Sequence, residues 1–427
     1  MKKISLTLIG LYLLFIHGFS QISDQYSNIF KAKKLKLEEI NLVTSYYNQD
    51  GNHSAVTGGI GTEKLTDFAN MLELKLVGYG ETGLKHTILA GIGIDHHTAA
   101  SQKYISQTGA SSPDGTRVYP SLNWTVANED KGTEFGVGTY YSNEYNYKSF
   151  ALDAHVGFKN KIGGEWALKG SAYFDKVVLI YPSELIPTAT TSITPYADLN
   201  VIKTSASRGS GSTTNTSGTY YPTNEEVSIP TSPRNTYTSS LSYSQVVNKS
   251  VQAAFLFDIV KQDGWLGLPF HRVYFTDGSE KIENLPHSRL KIPLGVRLNY
   301  FIGDNVILRS YYRFYTDDWG LTSHTASVEM PYKITPFFSI SPFYRFYTQT
   351  ATKYFAPYKQ HALNDTYFTS NYGSAAFSSS FFGTGCRIAP PDGIGNTYLA
   401  ALEIRLGHYT QTTDLNSNVI SFHFTFK

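Results

Sequence analysis

The sequence predicts an all-β fold, a single antiparallel transmembrane β-barrel of about sixteen strands, with short periplasmic turns and long external loops. Three observations carry that expectation. Apolar residues recur at every second position, the period of a strand with one buried face. No segment after the N-terminal stretch reaches the run of about 18 apolar residues that a membrane helix needs. The connections between alternating segments sort by parity into short and long, as in outer-membrane barrels.

The chain opens with a basic start, Met1-Lys2-Lys3, an apolar stretch from Ile4 to Phe19, and then Ser20-Gln21. That order reads as a cleaved signal peptide over 1–20, followed by a periplasmic segment over 21–35. The barrel is expected over 36–427. The single cysteine, Cys386, cannot form an internal disulfide, so backbone pairing and burial must hold the exported chain. Tyr 32 and Phe 26 are high counts, and the net charge of +2 comes without a dense basic run. Nucleic acid is therefore not an expected partner; outer-membrane lipid and, during assembly, the barrel-insertion machinery are.

Strands are expected at 36–49, 67–80, 85–98, 117–128, 133–143, 146–160, 163–176, 234–248, 250–262, 289–302, 304–317, 321–334, 336–350, 373–388, 396–408 and 416–426. The even-numbered connections are short, for example Gly80–Leu84, Asn160–Gly164 and Gly303-Asp304. Most odd-numbered ones are longer: Asp50–Thr66, Ala99–Thr116, Lys176–Pro233, Asp263–Ser288 and Ala351–Tyr372. The stretch 188–233 is rich in Ser, Thr, Gly and Pro and reads as an external loop, either disordered or folded into the mouth as a constriction. The glycine-rich Asp50–Thr66 is a second candidate for a constriction. The final Phe422-His423-Phe424-Thr425-Phe426-Lys427 sets alternating aromatics on the last strand, a signal for barrel insertion.

Five stretches resemble one family: Gln49–Thr66 (QDGNHSAVTGGIGTEKLT), Ile180–Leu185 (IYPSEL), Pro269–Phe275 (PFHRVYF), Arg309–His324 (RSYYRFYTDDWGLTSH) and Pro342–Tyr358 (PFYRFYTQTATKYFAPY). The chain resembles the domain of unknown function 3570 family, common in Bacteroidetes, over nearly its whole mature length. The resemblance implies an exported outer-membrane β-barrel. It brings no catalytic or binding residue with it.

Alternation also sorts charges. Arg289, Lys291, Arg297, Arg309, Arg313, Arg345, Arg387 and Arg405 are expected to point inward, with Glu329, Lys333 and Glu403. On the other half Glu39, Glu73, Lys75, Asp95, Asp153, Glu165, Asp175 and Asp258 point inward. Facing lipid, an Arg or Lys costs about 2–4 kcal/mol at the midplane, so charges collect in the lumen. One wall is then mainly basic and the other mainly acidic. Either a transverse field filters polar solutes, or salt bridges cross-link a packed, closed lumen.

No enzyme and no cofactor is expected. His53, His96 and His97 with Asp95 are a weak metal candidate, because adjacent strand residues face opposite ways. Asp50–Ser54 holds adjacent His53 and Ser54, a poor base and nucleophile pair without an oxyanion partner. Asp277–Glu283 lacks the ligand spacing of a calcium loop. Tyr46, Tyr47, Tyr140, Tyr141, Tyr311, Tyr312, Tyr344 and Tyr347 are expected in the interfacial girdles, while Tyr354 and Tyr358 lie on a loop. The function expected is a porin-like passage for small polar solutes. The alternatives are a non-conducting structural barrel or partner of an envelope complex and, less favoured, a barrel lipid hydrolase.

Overall fold

The alternating segments form strands in the computed structural model, which describes residues 32–99, 114–144, 146–179 and 231–427. The barrel strands of the first half are β1 (Lys33–Asp50), β2 (Leu65–Tyr79), β3 (Lys85–Ala99), β4 (Asp114–Asn128), β5 (Thr133–Asn143), β6 (Tyr147–Lys159), β7 (Gly164–Val178), β8 (Thr231–Asn248) and β9 (Val251–Gly264). A short hairpin, β10 (Arg272–Tyr274) and β11 (Glu280–Ile282), stands within the next loop. The second half is β12 (Ser288–Ile302), β13 (Val306–Asp317), β14 (Thr322–Glu329), β15 (Tyr332–Thr335), β16 (Phe338–Gln349), β17 (Phe377–Ile388), β18 (Leu399–Gln411) and β19 (Leu415–Phe426).

β14 and β15 are one strand interrupted at Met330-Pro331; both pair with β13 and β16. Proline has no N–H for the ladder, which accounts for the break. Sixteen staves result, each antiparallel to its neighbours, and β1 closes the ring on β19 from Ile40↔Phe426 to Asp50↔Asn416. A closed ring has no free sheet edge, the condition for a sheet to cross lipid.

Register gives the two faces. Ile88, Ile92, Leu122, Leu152, Val156, Leu168, Leu241, Leu294, Val296 and Leu406 share the outer face, many of them large apolar residues exposed on the surface. Polar and charged residues occupy the alternate positions. The first strand begins at Lys33, three residues inside the segment assigned to the periplasm, and β8 begins at Thr231 within the expected 188–233 loop. The signal peptide at 1–20 and the loop at 180–230 lie outside the described residues.

Much of the buried apolar core of the described residues lies outside the barrel strands. Val56, Phe270, Val273, Phe275, Leu285, Phe368 and Ala375 are buried, and all belong to external connections. Val56 packs with Val178, Phe270 and Leu268, and Val273 packs with Phe275 and Phe368.

Candidate functional site: a capped, charged lumen

Three external loops build a cap over the mouth: 51–64 after β1, 265–287 after β9, and 350–376 after β16. In a ring of sixteen staves the first and second loops start from opposite walls. They nevertheless touch. The fully buried Arg272 donates from Nη1 to the Val56 carbonyl at 2.7 Å, and Val56 shares a cluster with Phe270. Contact between diametrically placed loops requires them to cross the mouth. Gly58 and Gly59 hold φ of 80° and 86°, left-handed values that glycine adopts freely. A Cβ on Gly58 would lie 2.5 Å from the Tyr274 ring, and one on Gly59 2.7 Å from the Ser370 carbonyl. The missing side chains thus let a tyrosine ring close on Gly58 and a backbone carbonyl close on Gly59 where the three loops meet.

The cap holds buried polar groups. Glu283 is 4% exposed and accepts from the Leu268 N–H at 2.9 Å and from the Thr369 hydroxyl. His271 Nδ1 lies 3.4 Å from Glu283, close enough for attraction but without a formed hydrogen bond. Burial opposes ionisation of Glu283, yet His271 and these donors together hold its carboxyl below the ordinary glutamate value. Glu63 shifts the other way: burial raises it, although the His53 N–H donates to it at 3.1 Å.

Inward-facing residues clamp the loops to the wall. Tyr47 donates to Gln49 Oε1, and Gln49 Nε2 donates to the Glu63 carbonyl. Tyr347 donates to Gln349 Oε1, and Gln349 Nε2 donates to the Gly373 and Ala375 carbonyls. Tyr409 donates to Gln411, which donates to Thr413. Tyr315 donates to Asp317, which also receives Arg289 and the Leu321 N–H. Register links these pairs: buried Ser323, Ser379 and Ser417 each stand between the Tyr of one pair and the Gln of the next. The tyrosine fixes the amide's orientation, and the amide then fixes the outgoing loop.

Beneath the cap the wall is open. Arg297, Arg309, Arg313 and Arg345 face inward and are exposed. At the cap's level the inward positions Asp175, Val177, Ser323, Gln349 and Ser417 are buried.

A family model described as "Protein of unknown function (DUF3570)" matches residues 85–416. The chain belongs to this family. No curated protein matches it. Among solved structures, a BenF-like porin from Pseudomonas fluorescens Pf-5 aligns over 93% of this chain and 99% of its own, at 9% identity and a TM-score of 0.41. OprD from Pseudomonas aeruginosa aligns over 92% and 94%, at 9% identity and 0.41. OccK7 (OpdD) from the same organism aligns over 93% and 99%, at 11% identity and 0.39.

In this DUF3570 protein the strand register places all eight basic candidates, Arg289, Lys291, Arg297, Arg309, Arg313, Arg345, Arg387 and Arg405, on the inward parity. Glu39, Glu73, Asp95, Asp153, Glu165, Asp175 and Asp258 share it on the opposite half. Their partners differ from a simple two-sign division. Arg117, missed in the sequence, faces inward and binds Asp95 at 2.7 Å, where Tyr119 also donates. Lys169 pairs with Asp153, and Tyr147 and Ser149 donate to Asp175. The acidic wall is therefore interleaved with cations. On the basic wall Asp317 takes Arg289, and Glu329 takes Arg309 and Arg405. Among the described residues no carboxylate lies within ion-pair distance of Arg297, Arg313, Arg345 or Arg387.

The tyrosine girdle needs a correction. Tyr46, Tyr141, Tyr312 and Tyr344 lie on the outer face, but Tyr47, Tyr140, Tyr311 and Tyr347 point inward, because neighbours on a strand alternate. The metal candidates are not brought together. His53 stacks on Tyr372 at 3.7 Å, His96 bonds Thr116 on the outer face, and His97 faces inward near Glu144. Ser54 is buried, and His53 Nδ1 is directed to the Gly59 carbonyl. Asp277 closes a turn by accepting from Ser279.

Of the cap, the Asp50–Thr66 stretch was expected as a constriction, whereas 265–287 and 350–376 were missed because their residues follow no strand period. One signal could have pointed to the clamps: Tyr-x-Gln or Tyr-x-Asp stands at the external strand ends at 47–49, 315–317, 347–349 and 409–411, although it also occurs at the other end of the barrel at 243–245.

Proposed function

We propose that this chain is a porin-like channel of a Gram-negative outer membrane, exported through a cleaved signal peptide at 1–20. It passes small polar solutes along a charged lumen. The observation that carries this reading is the exposure of Arg297, Arg309, Arg313 and Arg345 on the inner wall. A lumen filled by cross-linked side chains would have buried them. The barrel sits in outer-membrane lipid after delivery by the insertion machinery, and the reading gives it no enzymatic role.

The cap favours a second reading, a non-conducting structural barrel, since two loops from opposite walls meet across the mouth. Planar-bilayer recordings of the full chain separate the two. Discrete current steps are expected for the channel; a folded barrel that inserts and passes no current supports the structural role.

A further inference from the structure

We propose that Glu329 is a tethered counter-anion occupying a carboxylate-binding recess in the lumen, and that small organic carboxylates bind there by displacing it from Arg309 and Arg405. The inference rests on the channel reading for its physiological meaning, though the recess is defined by geometry alone.

Glu329 ends β14 on the inner face. Its Oε2 lies 3.5 Å from Arg309 Nη1 on the neighbouring strand β13. Its Oε1 lies 3.0 Å from Arg405 Nη2, which reaches in from β18, beyond β16 and β17. Guanidinium groups from four staves apart thus converge on one carboxylate. That convergence identifies the chemistry: the planar fork of arginine matches a carboxylate, and the occupant already present is one. Glu403 holds Arg405 on its other edge at 3.0 Å but does not reach Arg309.

The occupant is exchangeable. Arg309, Arg405 and Glu329 side chains are 49%, 38% and 23% exposed. Water-accessible ion pairs are weakly held, so an incoming anion at sufficient concentration can displace the tethered carboxylate. Two features make the recess more than a counter-ion cloud. Arg345, free of any carboxylate among the described residues, stands over the Phe381 ring at 5.0 Å. Arg405 stands over Phe343 at 5.3 Å, and the two phenyl rings touch at 5.1 Å. A displaced Glu329 therefore leaves cations beside an apolar surface, which suits an acid with an apolar body better than an inorganic anion.

The test uses full-length protein in detergent and equilibrium dialysis of labelled hexanoate against the same micelles. Hexanamide is the neutral control and sulfate the inorganic competitor. Glu329→Gln should tighten hexanoate binding about fivefold, because a like charge near 4 Å is removed in a watery setting. Arg309→Gln should weaken it, and Glu403→Gln should tighten it less than Glu329→Gln does. Heat-modifiable migration confirms that each variant is folded. Unchanged or weaker binding in folded Glu329→Gln overturns the assignment. So do equal gains from Glu329→Gln and Glu403→Gln, or sulfate competing as well as unlabelled hexanoate. Bilayer current is read separately: binding without current defeats the channel and keeps the recess, whereas current with no hexanoate binding defeats the recess alone.

Discussion

The two halves of the lumen wall carry similar kinds of charge but arrange them differently. On β2–β9 the inward acids with no ion pair among the described residues include Glu73, Glu134, Glu165 and Asp258, on four separate staves. Asp95 and Asp153 are matched locally by Arg117 and Lys169. On β12–β16 the unmatched Arg297, Arg313 and Arg345 stand on one arc of the wall, with Tyr311 and Ser327 joining Arg297 to Arg345 through the register. The Debye length is about 8 Å at physiological ionic strength. Scattered charges are then screened from one another, while clustered ones add. The expectation is that grouping of unmatched charges, more than the count of each sign, sets the potential of this lumen.

The largest effect should come from removing that cluster. Changing Arg297, Arg313 and Arg345 together to Gln is expected to move the reversal potential in a KCl gradient from anion-favouring to cation-favouring, with the barrel still heat-modifiable. Raising the salt should shrink the difference between the wild-type chain and the variant. Unchanged selectivity in an open, folded variant would sink the clustered-cation account.

The halves differ at the mouth as well. Loops 51–64 and 265–287 meet across the barrel, and 350–376 lies on the arginine side. Phe275 is fully buried against Val273 and Phe368, with no share in the strands. Phe275→Ala should cost about 3–5 kcal/mol, borne by the cap and not by the barrel. Expected are protease cleavage within 265–287 and larger, noisier current steps, with heat-modifiability kept. A cap still resistant to protease, with unaltered steps, would show that this core does not close the mouth.

Much of this contrast could be read from sequence, and the boundary is physical. Facing lipid is costly for a charge, so alternation alone brings Arg297, Arg309 and Arg405 to the inner face. Strand existence follows from the same period, and the sixteen expected strands match the sixteen staves within several residues at each end. Pairing does not follow from alternation. Arg405 and Glu329 are 76 residues apart and meet only through register across intervening strands. The cap lies further out of reach, because Val273, Phe275 and Phe368 are buried by irregular loops whose apolar residues have no fixed spacing. His53 and Ser54 are neighbours in sequence, yet one stacks on Tyr372 and the other is buried, so adjacency there carried no chemistry.

The smallest expected effect is a pH dependence of the cap, and its sign changes along the scale. Glu63 ionises above the ordinary glutamate value of 4.5, so its contribution to cap stability is present in acid and lost as pH rises through its folded value. Glu283 ionises below 4.5, so its contribution is present at higher pH and lost as pH falls through its own folded value. Lowering the pH from neutral should therefore first tighten the cap as Glu63 takes its proton, then loosen it below 4.5 as Glu283 does. Glu63 is the less buried of the two, so solvent screening should make its side of the curve the shallower. Hydrogen exchange of the Glu63, Glu283 and Phe368 amides, which are bonded within the cap, reads both effects. Protection should peak in mild acid. Glu63→Gln should remove the rise on the neutral side and Glu283→Gln the fall on the acid side. A single monotonic trend, with neither variant changing its shape, would place the pH response elsewhere than in these two carboxylates.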